Sequence, residues 1–146
     1  MWIKRIHAGY IVCREEVDYM SYVCEKQFKS DLKTAQHVIN EILSNIANKI
    51  DDDSIFDIRL ILNELISNCV LHGNKNDEQK QINLFFSFNG KKIKIRVSDE
   101  GKGVKLIKKC NPTTLEENGR GLIIVKGLSD KFHINGNTVT VLKSIN

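Results

Sequence analysis

The sequence has few of the features that mark membrane, secreted or fibrous proteins. It contains one proline and one tryptophan, and aromatic residues make up only 7% of the chain. No apolar run approaches the ~20 residues of a membrane span, and residues 122–125 are a typical maximum. Charged side chains interrupt residues 1–16, so these residues do not form the apolar core of a signal peptide. We therefore expect a cytoplasmic protein that does not enter the membrane.

The cysteines do not form a recognisable metal site or disulfide framework. Cys13, Cys24, Cys69 and Cys110 lie far apart, with no C-x-x-C pair and no histidine at the spacing of zinc ligands. Reduced and mostly buried thiols are therefore predicted.

Length and charge indicate one folded domain that does not bind nucleic acid directly. At 146 residues, with 41% apolar and 27% charged residues, the chain is suited to a single core. The net charge is +4, and residues 75–110 account for it with ten basic and four acidic side chains. Aromatic residues do not alternate with these charges as they do on a nucleic-acid platform. Lys92, Lys94 and Arg96 are best explained as the solvated face of a strand, and the other lysines suit a small polyanion.

Hydrophobic periodicity predicts a strand and then three helices in the first half of the chain. Residues 6–13 alternate as a strand, and Val17, Met20, Cys24 and Phe28 recur at helical spacing. Asp31 is a predicted N-cap for a second helix that continues to about residue 50. The acidic residues 51–53 begin a third helix, which ends near His72 with Gly73 as a left-handed terminal residue.

The second half changes to strand periodicity. Residues 81–88 and 92–97 alternate around Asn89-Gly90, and residues 131–134 and 138–142 flank Asn135-Gly136, so two hairpins are predicted. A short helix over residues 122–128 lies between them. The predicted fold is an α+β two-layer sandwich, with helices on one face of a mixed, mostly antiparallel sheet.

Two Gly-x-Gly elements flank a lysine-rich segment of the length of a lid. The sequence contains no G-x-x-x-x-G-K-[ST] loop, and neither element completes a dinucleotide-binding fingerprint. Gly101-Lys102-Gly103 follows a strand, while Gly119-Arg120-Gly121 opens a helix whose free N–H groups suit phosphate.

The third helix carries polar side chains at regular spacing. Glu64, Asn68 and His72 recur every four residues and share one face. A carboxylate and an amide one turn apart suit a hydroxyl group and Mg²⁺, although a solvated stripe on an amphipathic helix gives the same pattern.

Taken together, these motifs resemble the GHKL, or Bergerat-fold, ATPases. Residues 63–68 (NELISN) and 72–74 (HGN) resemble the N box of that family, residues 99–103 (DEGKG) its D-x-G-x-G box, and residues 119–122 (GRGL) its second glycine box. Their order, spacing and the short lid are most similar to the anti-sigma-factor serine/threonine kinases. The resemblance covers about residues 54–142, which become the nucleotide-binding core of a single domain over residues 1–146, with a strand and helices over residues 1–50.

The resemblance implies a role for each matching residue in the binding of ATP and Mg²⁺. Glu64 would be the general base, and Asn68 would be both a Mg²⁺ ligand and part of the nucleotide site. Asp99 would accept a hydrogen bond from the adenine amino group. The remaining implied nucleotide contacts are Gly101, Gly103, Gly119, Arg120, Gly121 and Thr138.

The resemblance also implies protein partners. It predicts an anti-sigma factor that binds a sigma factor and phosphorylates a serine of a STAS-domain antagonist, and it leaves a homodimer open. Two alternatives remain: a stand-alone histidine-kinase-like core, and a module that binds ATP without phosphotransfer. Glu64 favours the serine kinase, since histidine kinases commonly have Asn there. One departure stands out, because the family has one helix before the N-box helix where periodicity predicts two over residues 14–50.

Overall fold

A computed structural model describes the backbone of residues 2–6, 9–13, 21–102 and 117–145, and the side chains of residues 21–102 and 120–145.

Two strands form a hairpin at the N-terminal end, β1 (Trp2–Ile6) and β2 (Gly9–Cys13). Strand β2 lies beside β3 (Ser21–Lys29), the edge strand of a five-stranded sheet. The single strand predicted for residues 6–13 is therefore wrong, since Ile6 and Gly9 face each other in two paired strands.

The main sheet is antiparallel at every described pair of strands. Its order is β3, β4 (Gln81–Asn89), β5 (Lys92–Ser98), β7 (Thr138–Ser144) and β6 (Lys131–Asn135). The described residues also form three α-helices: α1 (Leu32–Ile46), α2 (Asp52–Asn68) and α3 (Glu117–Leu128). This α+β sandwich is the predicted fold class, with the sheet antiparallel where the prediction was mixed. Among the described residues, none of the helices has the length and apolar character of a membrane crossing.

The core lies between one face of the sheet and the helices. Alternate residues of β4 and β5 are buried against the inner faces of α1 and α2, as period-two and period-3.6 patterns require.

Helices α1 and α2 each begin at an aspartate N-cap. Asp31 Oδ1 accepts from Thr34 N at 2.8 Å, and Asp51 Oδ1 accepts from Ser54 N at 2.9 Å. The predicted cap at Asp31 is confirmed, and so is the helix start at the acidic residues 51–53.

Residues 21–29 form a strand, which corrects the helix predicted from Cys24 and Phe28. A spacing of four residues fits a strand as well as a helix, because every second strand residue shares a face. Cys24 and Phe28 are therefore on the same face of β3, and both are buried in the core. Lys26 lies between them on the same face and forms a short ion pair with Glu41 of α1. Because this inward position is charged, residues 21–29 do not show the alternation of apolar and polar residues that is typical of a strand. The described residues therefore contain one helix before α2. Val17 and Met20, which belonged to the same predicted helix, lie outside the described residues.

The end of α2 also differs from the prediction. The helix widens into a five-residue π turn, Cys69–Gly73, closed by Asn74 N donating to Cys69 O at 2.7 Å. Gly73 does not have a positive φ; Lys75 and Asn76 do, at 53° and 59°. The left-handed position predicted for Gly73 is therefore wrong. This glycine has another physical role, in the contact with Asp99 described below.

Both predicted hairpins are present, with turns placed differently from the expected dipeptides. Between β6 and β7 the last pair is Asn135 with Thr138, so Gly136 and Asn137 form the turn. Gly136 has a φ of 59°, which glycine adopts without strain. The register brings Asn137, rather than a strand residue, to the end of β5.

Candidate functional site

Helix α2 supplies the two polar side chains predicted for chemistry. Glu64 and Asn68 are half-buried and lie one turn apart, while Leu65 and Ile66 between them are packed into the core. Asn68 Nδ2 is fully buried and has no hydrogen-bond partner among the described residues. An unpartnered buried amide costs free energy and is a sign of a ligand not yet in place.

Asp99 lies at the end of β5 against two glycines from different parts of the chain. Gly101 N donates to Asp99 Oδ1 at 2.7 Å, which folds the loop back on its own carboxylate. A Cβ atom at Gly73 would overlap the Asp99 carboxyl group, and one at Gly101 would lie 2.8 Å from the carbonyl carbon of Gly73. The close approach of these three residues therefore requires glycine at both positions.

Cys69 lies directly beneath this carboxylate. The thiol is 6% exposed, and burial together with the nearby Asp99 carboxylate raises its pKa well above the usual range. The thiol consequently stays protonated, and its hydrogen bond is to Asp99. Cys69 is therefore a small buried group, as predicted, and not a nucleophile.

The turn between β6 and β7 closes the same corner of the site. Asp99 N donates to the carbonyl oxygen of Asn137 at 3.3 Å, and the side chain of Asn137 forms a short hydrogen bond to the carbonyl oxygen of Asp99. Thr138 pairs with Ser98, and its neighbour Val139 is in the core, so strand alternation puts Thr138 on the outer face. Asn137 thus bonds directly to Asp99, while Thr138 Oγ1 donates to Asn137 Oδ1 at 3.4 Å.

Asn74 is a second residue that the sequence analysis did not single out. Its Oδ1 accepts from Glu100 N at 2.9 Å, immediately beside Asp99. The motif over residues 72–74 contains Asn74, but the sequence alone indicates none of its bonds, because its side-chain partners lie 7, 26 and 44 positions away. The same holds for Asn137, whose partner is 38 positions away.

Helix α3 brings the second glycine motif to Glu64. A Cβ atom at Gly121 would overlap the Glu64 carboxylate, so the two groups are in close contact. Gly119 lies in the first turn of the same helix, and Arg120 is exposed to solvent. Gly103 and the lid lysines 105, 108 and 109 lie outside the described residues.

The described residues fit a nucleotide with a divalent ion. Asn68 Nδ2 is an unpartnered donor that suits a phosphate oxygen or water, and the oxygen of the same amide is the type of atom that Mg²⁺ binds. Glu64 supplies a carboxylate one turn away, and glycine backbone frames Asp99. Residues 21–102 and 120–145 contain no group of three or more His, Cys, Asp or Glu side chains able to enclose a metal ion. A Mg²⁺ ion held here would therefore take most of its ligands from phosphate and water, as Mg²⁺ commonly does.

Comparison with known proteins identifies the class to which this fold and site belong. The family model of the histidine kinase-like ATPase domain matches residues 28–143. The match spans most of the chain, so the chain belongs to this family, and the predicted family is confirmed.

Particular relatives point to one branch of the family. The chain is similar to an anti-sigma F factor of Anoxybacillus flavithermus, with 25% identity over 104 residues, covering 64% of this chain and 71% of the relative. It is similar to a serine-protein kinase RsbW of Oceanobacillus iheyensis, with 30% identity over 105 residues, covering 64% of this chain and 66% of the relative. A serine-protein kinase RsbW of Bacillus subtilis is 27% identical over 124 residues, covering 75% of this chain and 78% of the relative.

Proposed function

We propose that this chain is an ATP-dependent serine/threonine protein kinase that also acts as an anti-sigma factor. One observation carries the proposal: a carboxylate and an amide, Glu64 and Asn68, share a face of α2 next to a glycine-framed aspartate, Asp99. Similarity to proteins named anti-sigma F factor and serine-protein kinase RsbW supports this assignment. The antagonist that receives the phosphate is a STAS-domain protein in this proposal.

Glu64 is the residue that acts on the substrate hydroxyl. Its carboxylate takes the proton as the serine oxygen bonds to the γ-phosphorus and the bond to the ADP oxygen breaks. Contact with Gly121 holds this carboxylate at the start of α3. A helix beginning has free N–H groups, and these together with Gly119 and Arg120 bind the phosphates.

Asn68 and Asp99 divide the recognition of ATP between them. Asn68 is the Mg²⁺ ligand, and the ion neutralises phosphate charge when it is bound. Asp99 accepts from the adenine amino group, while Gly101 and Gly103 allow the nucleotide to approach the backbone closely. Thr138 belongs to the predicted adenine contacts; its outer-face position makes Asn137 the better candidate in this turn.

The partners follow from the same proposal. The chain binds a sigma factor and holds it inactive, and the unmodified antagonist competes for the chain. Sigma factors act with RNA polymerase, so this function takes place in the cytoplasm. Measuring the mass of the protein in solution tests the homodimer that the resemblance leaves open.

A phosphotransfer assay tests the function. The chain is used to capture proteins from its native lysate, and the captured STAS protein is incubated with radiolabelled ATP and Mg²⁺. We expect acid-stable phosphate on that protein, and Glu64→Gln should lower the transfer rate by about 10²–10⁴-fold while ATP binding is retained. Unchanged transfer in Glu64→Gln would contradict the role of Glu64.

Two other results would replace the proposed function. Acid-labile phosphate on the product would indicate a histidine-kinase-like core. Tight ATP binding with no transfer to any captured STAS protein would indicate an ATP-dependent binding module.

A further inference from the structure

Asn74 is unusual because it is a polar residue with no exposed surface. Among the described residues, Asn74 at 0% exposed and Ser30 at 1% exposed are the only polar residues that are buried as a whole. A buried amide is costly unless its donors and acceptor are all satisfied. Those of Asn74 are satisfied by bonds to three different parts of the chain.

The side-chain bonds of Asn74 link segments that are distant in sequence. Its Nδ2 donates to Ser30 Oγ at 3.0 Å and to the carbonyl oxygen of Gln81 at 3.2 Å, at the end of β3 and the start of β4. Its Oδ1 accepts from Glu100 N at 2.9 Å, 26 positions along the chain. The backbone N–H of Asn74 meanwhile closes the π turn by donating to Cys69 O at 2.7 Å.

The bond to Glu100 distinguishes a functional role from a purely structural one. Contacts with Ser30 and Gln81 alone would be sufficient to join β3, β4 and the end of α2. Glu100, however, lies between Asp99 and Gly101, and its own Oε2 accepts from Gln81 N at 2.6 Å. The peptide that follows Asp99 is thus held from two sides.

Asn74 also follows Gly73, which is in contact with the Asp99 carboxylate. We propose that Asn74 is a positioning residue, which fixes the adenine-recognising Asp99 relative to Glu64 and Asn68 on α2. This inference rests on the proposed function of Asp99. It assigns Asn74 no contact with ATP; the residue acts through the backbone at Glu100.

The main test compares Asn74→Ala with Ser30→Ala. Both variants remove the bond between Asn74 and Ser30, but only Asn74→Ala also removes the acceptor of Glu100 N and the donor to Gln81 O. We expect ATP affinity to fall about tenfold in Asn74→Ala and to stay within about twofold of the original in Ser30→Ala. Preference for ATP over GTP should fall in Asn74→Ala as well, because Asp99 reads the base. Equal affinity and base preference in Asn74→Ala and the original chain would overturn the proposal.

Hydrogen exchange without nucleotide provides a measurement that is independent of ATP. The Glu100 amide should exchange faster in Asn74→Ala and remain protected in Ser30→Ala. If Asn74→Ala does not fold, Asn74→Ser takes its place, because its shorter side chain also releases Glu100 N without placing a charge in a fully buried position. A tenfold loss of ATP affinity in Asn74→Ser with Ser30→Ala unchanged supports positioning through Glu100, and any other result with these two variants would overturn it.

Asp99→Asn separates failure of this inference from failure of the proposed function. If the original chain does not bind ATP, or if Asp99→Asn binds it equally well, the adenine site itself is wrong. If Asp99→Asn loses ATP and Asn74→Ala does not, only the positioning role is wrong. Because Asn74 acts through Asp99, adding Asn74→Ala to Asp99→Asn should change affinity by less than about twofold.

Discussion

The two sides of the candidate site differ in how their polar groups are partnered. On the proposed base side, defined by residues 73–74, 99–101 and 137, the loop that carries Asp99 is hydrogen-bonded to three other segments, through Asn74, Gln81 and Asn137. On the phosphate side, defined by Glu64, Asn68 and residues 119–121, Asn68 Nδ2 is buried without a partner among the described residues. The base side is therefore organised in advance, whereas the phosphate side keeps hydrogen-bonding capacity for its ligand.

The contrast matches the part of ATP that each side is proposed to bind. A purine base is flat and neutral, so recognition depends on a carboxylate held at a fixed distance by surrounding backbone. A triphosphate is highly charged and needs donors and a cation that become satisfied only on binding. Substitutions should thus act through geometry on the base side and through lost ligand contacts on the phosphate side.

The largest expected effect on ATP binding is at Gly73 on the proposed base side. In Gly73→Ala the new Cβ overlaps the Asp99 carboxyl group, so Asp99 moves or the π turn opens. Overpacking of this kind costs about 1–3 kcal/mol, and we expect ATP affinity to fall by up to about 100-fold. Equilibrium binding of ATP measures the effect.

Gly127→Ala is the matched control, since a Cβ at Gly127 in α3 meets nothing within 4 Å. It should raise the free energy of unfolding by ~0.5–1 kcal/mol and leave ATP binding unchanged. ATP binding by Gly73→Ala as tight as that of Gly127→Ala would contradict the steric account of the base side.

Gly121→Ala should separate catalysis from binding on the phosphate side. The added methyl group overlaps the Glu64 carboxylate and displaces the proposed base. We expect the transfer rate at saturating ATP to fall about 30-fold, because small misplacements of a reacting group cost up to about 10²-fold. Single-turnover transfer measures the rate, and ATP affinity should change much less. A loss confined to ATP affinity would mean that Gly121 serves the nucleotide and not Glu64.

Asn68→Ala should have a smaller effect that depends on Mg²⁺. The substitution removes one proposed ligand, and we expect Mg²⁺-dependent ATP affinity to fall about tenfold, as for one charge-assisted contact. Binding measured with Mg²⁺ and with EDTA should show that the difference between the variant and the original chain disappears without the metal. Because Asn68 Nδ2 has no partner to lose, thermal stability should change little. Equal affinity for Mg²⁺ and ATP in both proteins would remove Asn68 as a ligand.

The smallest effect is expected away from the site, at the N-cap of α1. Hydrogen bonds from the hydroxyl and backbone N–H of Thr34 lower the pKa of Asp31, so the carboxylate stabilises the fold when it is ionised. Asp31→Ala should cost ~1 kcal/mol near neutral pH and leave ATP binding unchanged. The depressed folded pKa means that this stabilisation is present above the unfolded value of about 3.9 and is lost as pH falls through the folded value.

Chemical denaturation of the two proteins at neutral pH and near pH 3 measures that difference. The gap in free energy of unfolding between the original chain and Asp31→Ala should narrow as the pH falls. A constant gap would mean that Asp31 stabilises α1 by packing and not through its charge.

Local sequence patterns predicted the helix starts and the hairpins where a single cap or turn residue determines the local structure. Aspartate caps at Asp31 and Asp51 set the helix starts, and glycine in the turns allowed the hairpins. The pattern was misleading at residues 21–29, because Lys26 occupies an inward strand position and is neutralised by Glu41 of α1. The inward position of Lys26 is explained by its contact with Glu41, 15 positions away. The periodicity of residues 21–29 carries no information about that contact.

The sequence by itself determined the order of the motifs and the chemistry they can perform. Glu64 and Asn68 share a face because helical geometry places residues four apart together, whatever surrounds them. Tertiary structure decided which residues meet at the end of β5: Gly73 against Asp99, Asn74 against Glu100, and Asn137 against Asp99. Those contacts depend on strand register and on the widened end of α2, which are set by packing between segments distant in the chain.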